Sequence, residues 1–506
     1  MPRALSLLVL CLLLAAENAT SQAPNVTTWE QDMNAAQEDA SAGRLAGAEG
    51  KLNEALQLAK TFPPDDRRRV RALHQLADVY HTEGKDALAE GLLKEELEIN
   101  QRTYGPNDLH VAASMDALAG VISSQGQYTQ AASLYRNALE IKKLNLGLNH
   151  PSVVRTEESL AAVEGDAGNY GEAEQLYKQA IESTGQFFGP SHPRVAVPMD
   201  DLAALEMDQG EYAVAETLYE NALVIREKIY GPDHPRVASS LDNLAGLYTA
   251  EGLYGRAEPL LQRALAIREK ALGPDDPEVA QTLSSLALLY GYGGKYHQGE
   301  DAAKRALTIR RKALVPDAPA IAESLNNLAF VYTKMGKNAL AEPLYKESLD
   351  ITQKQAGTDN PFYATTLNNL GMIYQNEGKD EQARPLFEQA LEILRTTLGP
   401  NRPEVATTLT NIAEVDAQEN KDAEAEQLLQ QALKIDLAAL GSQHPAVATD
   451  YHNLAKLYAK EGKDAQAKSF YQQALAIQEK TVGPDHEDMI ATQKDYAALQ
   501  HKESHH

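Results

Sequence analysis

A 42-residue period is the feature that most limits what this chain can become. Gly105-Pro106-Asn107 returns as Gly147-Leu148-Asn149, Gly189-Pro190-Ser191, Gly231-Pro232-Asp233 and Gly273-Pro274-Asp275, each 42 residues after the last. The same register runs on through Val315, Gly357, Gly399, Gly441 and Gly483 without an insertion. One more unit starts at Pro63, and before it Trp29 to Lys60 reads as a shorter first helix pair. Self-similarity at this period marks units that cannot bury their apolar face alone and must stack on one another. The core of such an array grows by stacking, so the prior of about three domains for 506 residues does not apply.

Within the unit Gly231 to Leu272, Pro235 suits a first helical position, where a missing N–H costs nothing, with His234 or Asp233 before it as cap. A first helix, A, is predicted from there to about Ala250. Its Leu241, Leu244, Ala245 and Tyr248 fall on one face at three- and four-residue spacings. Gly252 ends it, because a left-handed C-terminal residue is least costly as glycine. The column repeats as Gly84, Gly126, Gly168, Gly210, Gly294, Gly336, Gly378 and Gly462, with Asn420 as the one departure and the next best tolerated residue. A second helix, B, is predicted from about Tyr254, with Ala257 and Ala264 small enough to let two helices approach closely. Pro198 interrupts one helix A, where it is expected to remove a hydrogen bond and kink the helix.

Leu244, Ala245, Tyr248, Gly252, Ala257 and Ala264 match the tetratricopeptide pattern in type and spacing. The usual tetratricopeptide unit is shorter and closes helix B with proline, where Glu269 stands here. Longer units with Leu325-Asn326-Asn327-Leu328-Ala329 in helix A, Ala264-Leu265-Ala266-Ile267-Arg268-Glu269-Lys270 in helix B and Leu272-Gly273-Pro274-Asp275-Asp276-Pro277 between repeats resemble the kinesin light chain family. The likeness covers roughly Pro63 to Val482. It implies an all-α fold, a right-handed alpha solenoid of helix-turn-helix repeats. It also implies a concave face that takes a peptide or protein partner. In that family an N-terminal heptad region joins the motor; here the space before the repeats reads as an export signal, so the motor role is not carried over.

In repeats of this kind an asparagine just before the conserved helix A leucine bonds the main chain of a bound peptide. The matching positions are Asn243, Asn327, Asn369, Asn411 and Asn453. An amide donates and accepts, so a ladder of them can hold a main chain whatever its side chains. The competing reading is that these amides bond across neighbouring helices. Further along the same face, Leu288, Phe330 and Met372 would form an apolar strip, with Lys334, Lys456 and Lys460 adding positive charge. Packing between superhelix turns is the alternative for these side chains. Ser159 and Asp201 replace the asparagine in earlier repeats, so binding is expected to centre on Asn243 to Asn453.

Forty-seven Lys and Arg against 72 Asp and Glu give a net charge of -25, which argues against nucleic acid and against anionic membrane surfaces. A basic or neutral protein partner is easier to accommodate. The histidines His150, His192, His234, His444 and His486 share one column, a repeat apart, too far for common metal ligation, and read as caps. His501, His505 and His506 read as a frayed tail. Acid pairs such as Asp200-Asp201 and Asp275-Asp276 are expected to face solvent. No phosphate loop, nucleophile elbow or dinucleotide fingerprint interrupts the period. No catalytic residue, metal or cofactor is expected.

The first residues carry Arg3, an apolar run from Ala4 to Ala16 and then small polar residues, as a secretory signal peptide does. The sole cysteine, Cys11, lies inside it, so cleavage would leave no thiol. Leu10 before Cys11 does not suit a lipid-attachment box. Asn25-Val26-Thr27 is a glycosylation sequon if the host is a eukaryote. The expected organisation is a signal peptide at 1–23, an atypical cap at 24–62, ten repeats at 63–482 and a closing helix and tail at 483–506. That arrangement implies an exported chain, periplasmic or secreted, with no membrane span after cleavage. Two function classes follow: a scaffold that binds a partner in its groove, or a structural component that self-associates through its solenoid.

Overall fold

The computed structural model describes residues 25–503 apart from 42, 43, 483 and 485. The expected signal peptide and the last three residues lie outside this range. The chain divides into two compact units, Met1–Val163 and Glu164–His506.

All the described regular structure is helical. The first unit opens with α1 (25–41) and α2 (Leu45–Ala59), followed by α3 (Arg67–Thr82) and α4 (Asp86–Tyr104), α5 (Leu109–Ser124) and α6 (Tyr128–Leu146). Helix α7 (Pro151–Asp166) crosses the division between the units. In the second unit come α8 (Tyr170–Phe188), α9 (Ala196–Asp208) and α10 (Tyr212–Tyr230), α11 (Pro235–Ala250) and α12 (Tyr254–Leu272), α13 (Pro277–Tyr292) and α14 (Tyr296–Ala313). They continue as α15 (Pro319–Lys334) and α16 (Asn338–Ala356), α17 (Pro361–Asn376) and α18 (Asp380–Thr397), α19 (Pro403–Gln418) and α20 (Asp422–Ala439). Helices α21 (Pro445–Lys460) and α22 (Asp464–Thr481) and a final α23 (Glu487–Glu503) complete the array. Odd-numbered helices from α3 to α21 are the A helices and even-numbered ones the B helices.

The periodic residues account for these elements. At the start of α11, His234 Nδ1 accepts from the Arg236 N–H at 3.1 Å, and Pro235 takes the first helical position. Such a cap is worth about 1 kcal/mol. At the other end Gly252 has φ +73°, and the Leu253 N–H returns to the Tyr248 carbonyl at 2.7 Å. Asn420 does the same work at φ +60°. Ala257 and Ala264 are fully buried, which brings α12 close to its neighbours.

Pro198 does not kink a helix. The chain first forms a 3-10 turn over Pro193–Val195, and α9 starts only at Ala196. The proline therefore sits in the first turn, where a missing N–H is tolerated. The Asp200-Asp201 pair is not solvent-facing either. Asp200 sits 2.5 Å from Arg226, and both side chains are largely buried.

Two ladders tie consecutive repeats together. In the first, a helix A tyrosine donates to a glutamate of the preceding helix B: Tyr248 to Glu216 at 2.7 Å, Tyr374 to Glu342 at 2.8 Å and Tyr458 to Glu426 at 2.6 Å. At one rung both partners change together, and Arg384 pairs with Asp416 at 2.6 Å. The second ladder is buried. Arg226 donates to Ser240, and Arg268 to Thr282 and Asp242, linking a B helix to the A helices on either side of it. In the first unit Lys142 makes the equivalent contacts with Thr156 and Asp116. A buried charge is tolerable only when paired and hydrogen-bonded.

The second unit also closes on itself. The turns after α7, α9 and α11 meet the turns before α19, α21 and α23, where Gly168 faces Arg402, Gly210 faces His444 and Gly252 faces His486. From 168 to 402, from 210 to 444 and from 252 to 486 the separation is in each case 234 residues. A Cβ on Gly210 or Gly252 would stand 2.9 or 2.8 Å from the opposing histidine, so the edges approach too closely for a side chain there. His444 and His486 thus cap their helices and form this seam, and no metal-holding group of three or more ligating side chains occurs among the described residues.

Candidate interaction face

The A helices of the second unit carry the asparagine positions on one face, and the structure separates those positions into two kinds. Asn243 on α11 is exposed, while Asn327, Asn411 and Asn453, on α15, α19 and α21, are partly buried; none of the four has a hydrogen-bond partner among the described residues. Asn369 on α17 differs, since its amide donates to Asn326 Oδ1 at 3.1 Å. Cross-helix bonding belongs mainly to the asparagine one residue earlier: Asn368 donates to Thr408 at 2.9 Å and Asn326 to Thr366 at 3.4 Å. In the Asn326-Asn327 pair, then, the first amide is turned into the packing and the second is left unbonded, whereas in the Asn368-Asn369 pair both amides bond across helices.

Of the apolar strip, Leu288 is partly buried, Phe330 packs on α13 with its ring 4.9 Å from that of Tyr292, and Met372 is exposed. The Phe330 edge would lie 2.7 Å from a Cβ on Gly291, so Gly291 is what lets this ring lie flat on the helix.

The three lysines are not free positive charges. Lys334 Nζ is 2.6 Å from Glu487 Oε2, Lys456 is 3.6 Å from Glu414, and Lys460 is 2.6 Å from Asp422. Lys460 also donates to the Ala417 carbonyl. Their charge is balanced locally, and the expected positive patch is corrected to a mixed one. Asn453, Lys456 and Lys460 nevertheless converge with Asn376, Glu414 and Gln418 on one hollow of about 670 Å3. Three of these six side chains, Asn376, Gln418 and Asn453, are amides that both donate and accept, as a main chain requires.

A second hollow of about 500 Å3 lies between α11, α13 and the start of α23, lined by Leu288, Tyr292, Tyr254, Thr249, Glu487 and Asp488 among others. Burial, with Glu487 and Asp488 close by, pushes the Tyr292 hydroxyl up from its ordinary pKa. Earlier along the same face, burial and then neighbouring Asp200 push Asp201 up to about 6. Sequence reasoning missed this second hollow, because its wall is completed by residues two hundred positions further on.

A family description, the tetratricopeptide repeat, matches residues 68–144, 110–184, 194–270, 237–312, 320–396, 362–438, 404–480 and 451–506. The chain belongs to the tetratricopeptide repeat family. No curated protein matches it. Among solved structures it is similar to a Rap protein complexed with competence and sporulation factor, at 15% identity and TM-score 0.50, over 73% of this chain and 98% of that one. That likeness concerns the fold alone. Shorter stretches are similar to BtubC (BKLC) from P. vanneervenii, at 25% identity, TM-score 0.40, 45% of this chain and 92% of that one. A Podosopora anserina protein described as a kinesin light chain with nearly identical repeats is 26% identical, with TM-score 0.34, over 41% of this chain and 98% of that one. Among the described residues no helix of this tetratricopeptide array is long and apolar enough to cross a membrane.

Proposed function

We propose that this chain is a non-catalytic interaction scaffold that holds an extended segment of a protein partner along the A helices from α11 to α21. The reading rests on one observation: Asn327, Asn411 and Asn453 stand on a common face without partners, while the neighbouring Asn326 and Asn368 take up the structural bonding. Polar side chains left unpaired, Asn453 among them beside a hollow, are available to a peptide main chain, which must exchange its bonds to water for others when it docks. The apolar run in the first 23 residues supports work outside the cytoplasm, in the periplasm or after secretion.

The test replaces Asn327, Asn411 and Asn453 together by alanine and compares proteins crosslinked to the exported chain in its host. Loss of the recovered partners with an unchanged helical spectrum and melting temperature is expected. Full retention of every partner by the triple variant would overturn the assignment.

A further inference from the structure

The hollow beside α23 has a chemistry of its own. Its walls are Leu288 and the rings of Tyr254 and Tyr292, and Glu487 and Asp488 stand at its mouth. Those two carboxylate side chains are 45% and 46% exposed, so they remain open to solvent and to a ligand. Thr249 and Ser285 also line it, and both donate their hydroxyl protons to carbonyls of their own helix, at 2.8 and 3.4 Å, so that each oxygen keeps its accepting capacity. His486 accepts the Asp488 N–H on Nδ1 at 3.2 Å. Among the described residues that line the hollow there is no lysine or arginine. Acceptors, aromatic faces and carboxylates thus surround a partly apolar space of about 500 Å3.

The chain itself shows what such a setting attracts. The ammonium of Lys334 lies 2.6 Å from Glu487 Oε2 and 5.6 Å from the ring centres of both Tyr292 and Phe330. A cation within about 6 Å of an aromatic face gains from the ring quadrupole as well as from the carboxylate. The long-range field has the same sign, since the whole chain carries a net charge of -25 and would steer a cationic segment inward.

We infer that this hollow is the anchor for a basic side chain, lysine or arginine, of the segment held along the A helices. The inference rests on the proposed groove reading and names the partner's chemistry within it. The aliphatic stem lies against Leu288 and the tyrosine rings, and the charged head reaches Glu487 and Asp488. In the free chain Lys334 competes for Glu487, so docking exchanges an internal cation for an external one.

Fluorescence anisotropy of the chain from residue 24 onward tests this with labelled twelve-residue Gly/Ala/Val peptides carrying one central Lys, Arg, acetyl-lysine or Glu. Lys and Arg peptides are expected to bind at least tenfold more tightly than the acetyl-lysine and Glu peptides. That preference should vanish in Glu487→Gln/Asp488→Asn. Lys334→Met, which removes the internal competitor, should tighten the Lys and Arg peptides and leave the acetyl-lysine and Glu peptides unchanged. Equal binding of Lys and acetyl-lysine peptides, or an unchanged preference in the double variant, overturns the anchor. If that charge-blind binding is still lost on replacing Asn327, Asn411 and Asn453, the groove reading stands without it. Failure of every peptide to bind the native chain overturns both.

Discussion

The imidazole of His444 donates from Nε2 to the main-chain oxygen of Asp208 at 3.2 Å, although 236 residues separate them in sequence. Its Nδ1 meanwhile accepts the Ala446 N–H at 3.1 Å, which fixes the uncharged tautomer. One ring therefore caps α21 and fastens the seam.

Burial pushes the His444 pKa below its ordinary value, and the bond to Asp208 opposes this only in part. Below about pH 6.5 the unfolded chain then binds more protons than the folded one, so stability falls as the pH falls through that range. His444→Asn keeps a capping side chain and removes the titration. Its melting temperature between pH 7 and pH 5 should decline less steeply than that of the native chain, as thermal scans at several pH values would show.

Asp436 and Asp450 occupy the places that Arg268 and Thr282 hold in the buried ladder, at 4% and 3% exposure and without a basic partner. Burial pushes both carboxyls well above the ordinary range, and at Asp450 the neighbouring carboxyl adds to it. The folded state thus holds protons that the unfolded state has released, and stability declines as pH rises from the carboxylate range through neutrality. Asp450→Thr should raise stability at pH 8 by roughly 1–3 kcal/mol and flatten the pH slope in urea titrations.

The paired exchange at Arg384 and Asp416 predicts a strong coupling. Arg384→Glu alone would face a largely buried carboxylate and cost about 3 kcal/mol. Adding Asp416→Tyr recreates the rung that Tyr248 and Glu216 form elsewhere and should recover most of the loss. A double-mutant cycle by chemical denaturation measures this directly.

Neighbouring asparagines should respond differently to the same change. Asn368→Ala leaves Thr408 without its buried partner and should cost roughly 1–3 kcal/mol. Asn411→Ala breaks no bond and should stay within about 0.5 kcal/mol. Equal losses in a denaturation experiment would mean that the two amides are not divided between packing and the open face.

Helix positions and caps were legible in the sequence because Pro235, His234, Gly252 and the alanine columns act within a few residues of themselves. The buried ladder left a trace too, in the recurring Arg226, Arg268 and Arg310, but the trace became meaningful only once Asp200 and Asp242 were seen across the helices. At the interaction face the columns marked a row of amides and hid the pairing of Lys334 with Glu487, 153 residues away. Spacing within a unit carries no information about which distant turn will lie against it. The same holds for Pro198, where the pattern located the proline correctly and could not foresee that the helix would start anew at Ala196.

The seam has a consequence for how such a chain can change. Arg402, His444 and His486 share one column, and Gly168, Gly210 and Gly252 share another, so both edges carry the repeat's own period. Loss or duplication of one whole unit between them would slide the edges by a single period and set another member of each column face to face. Unequal exchange between neighbouring gene segments could therefore lengthen or shorten the array and leave its closure intact, whereas removal of even a few residues inside a unit would put every one of these contacts out of step.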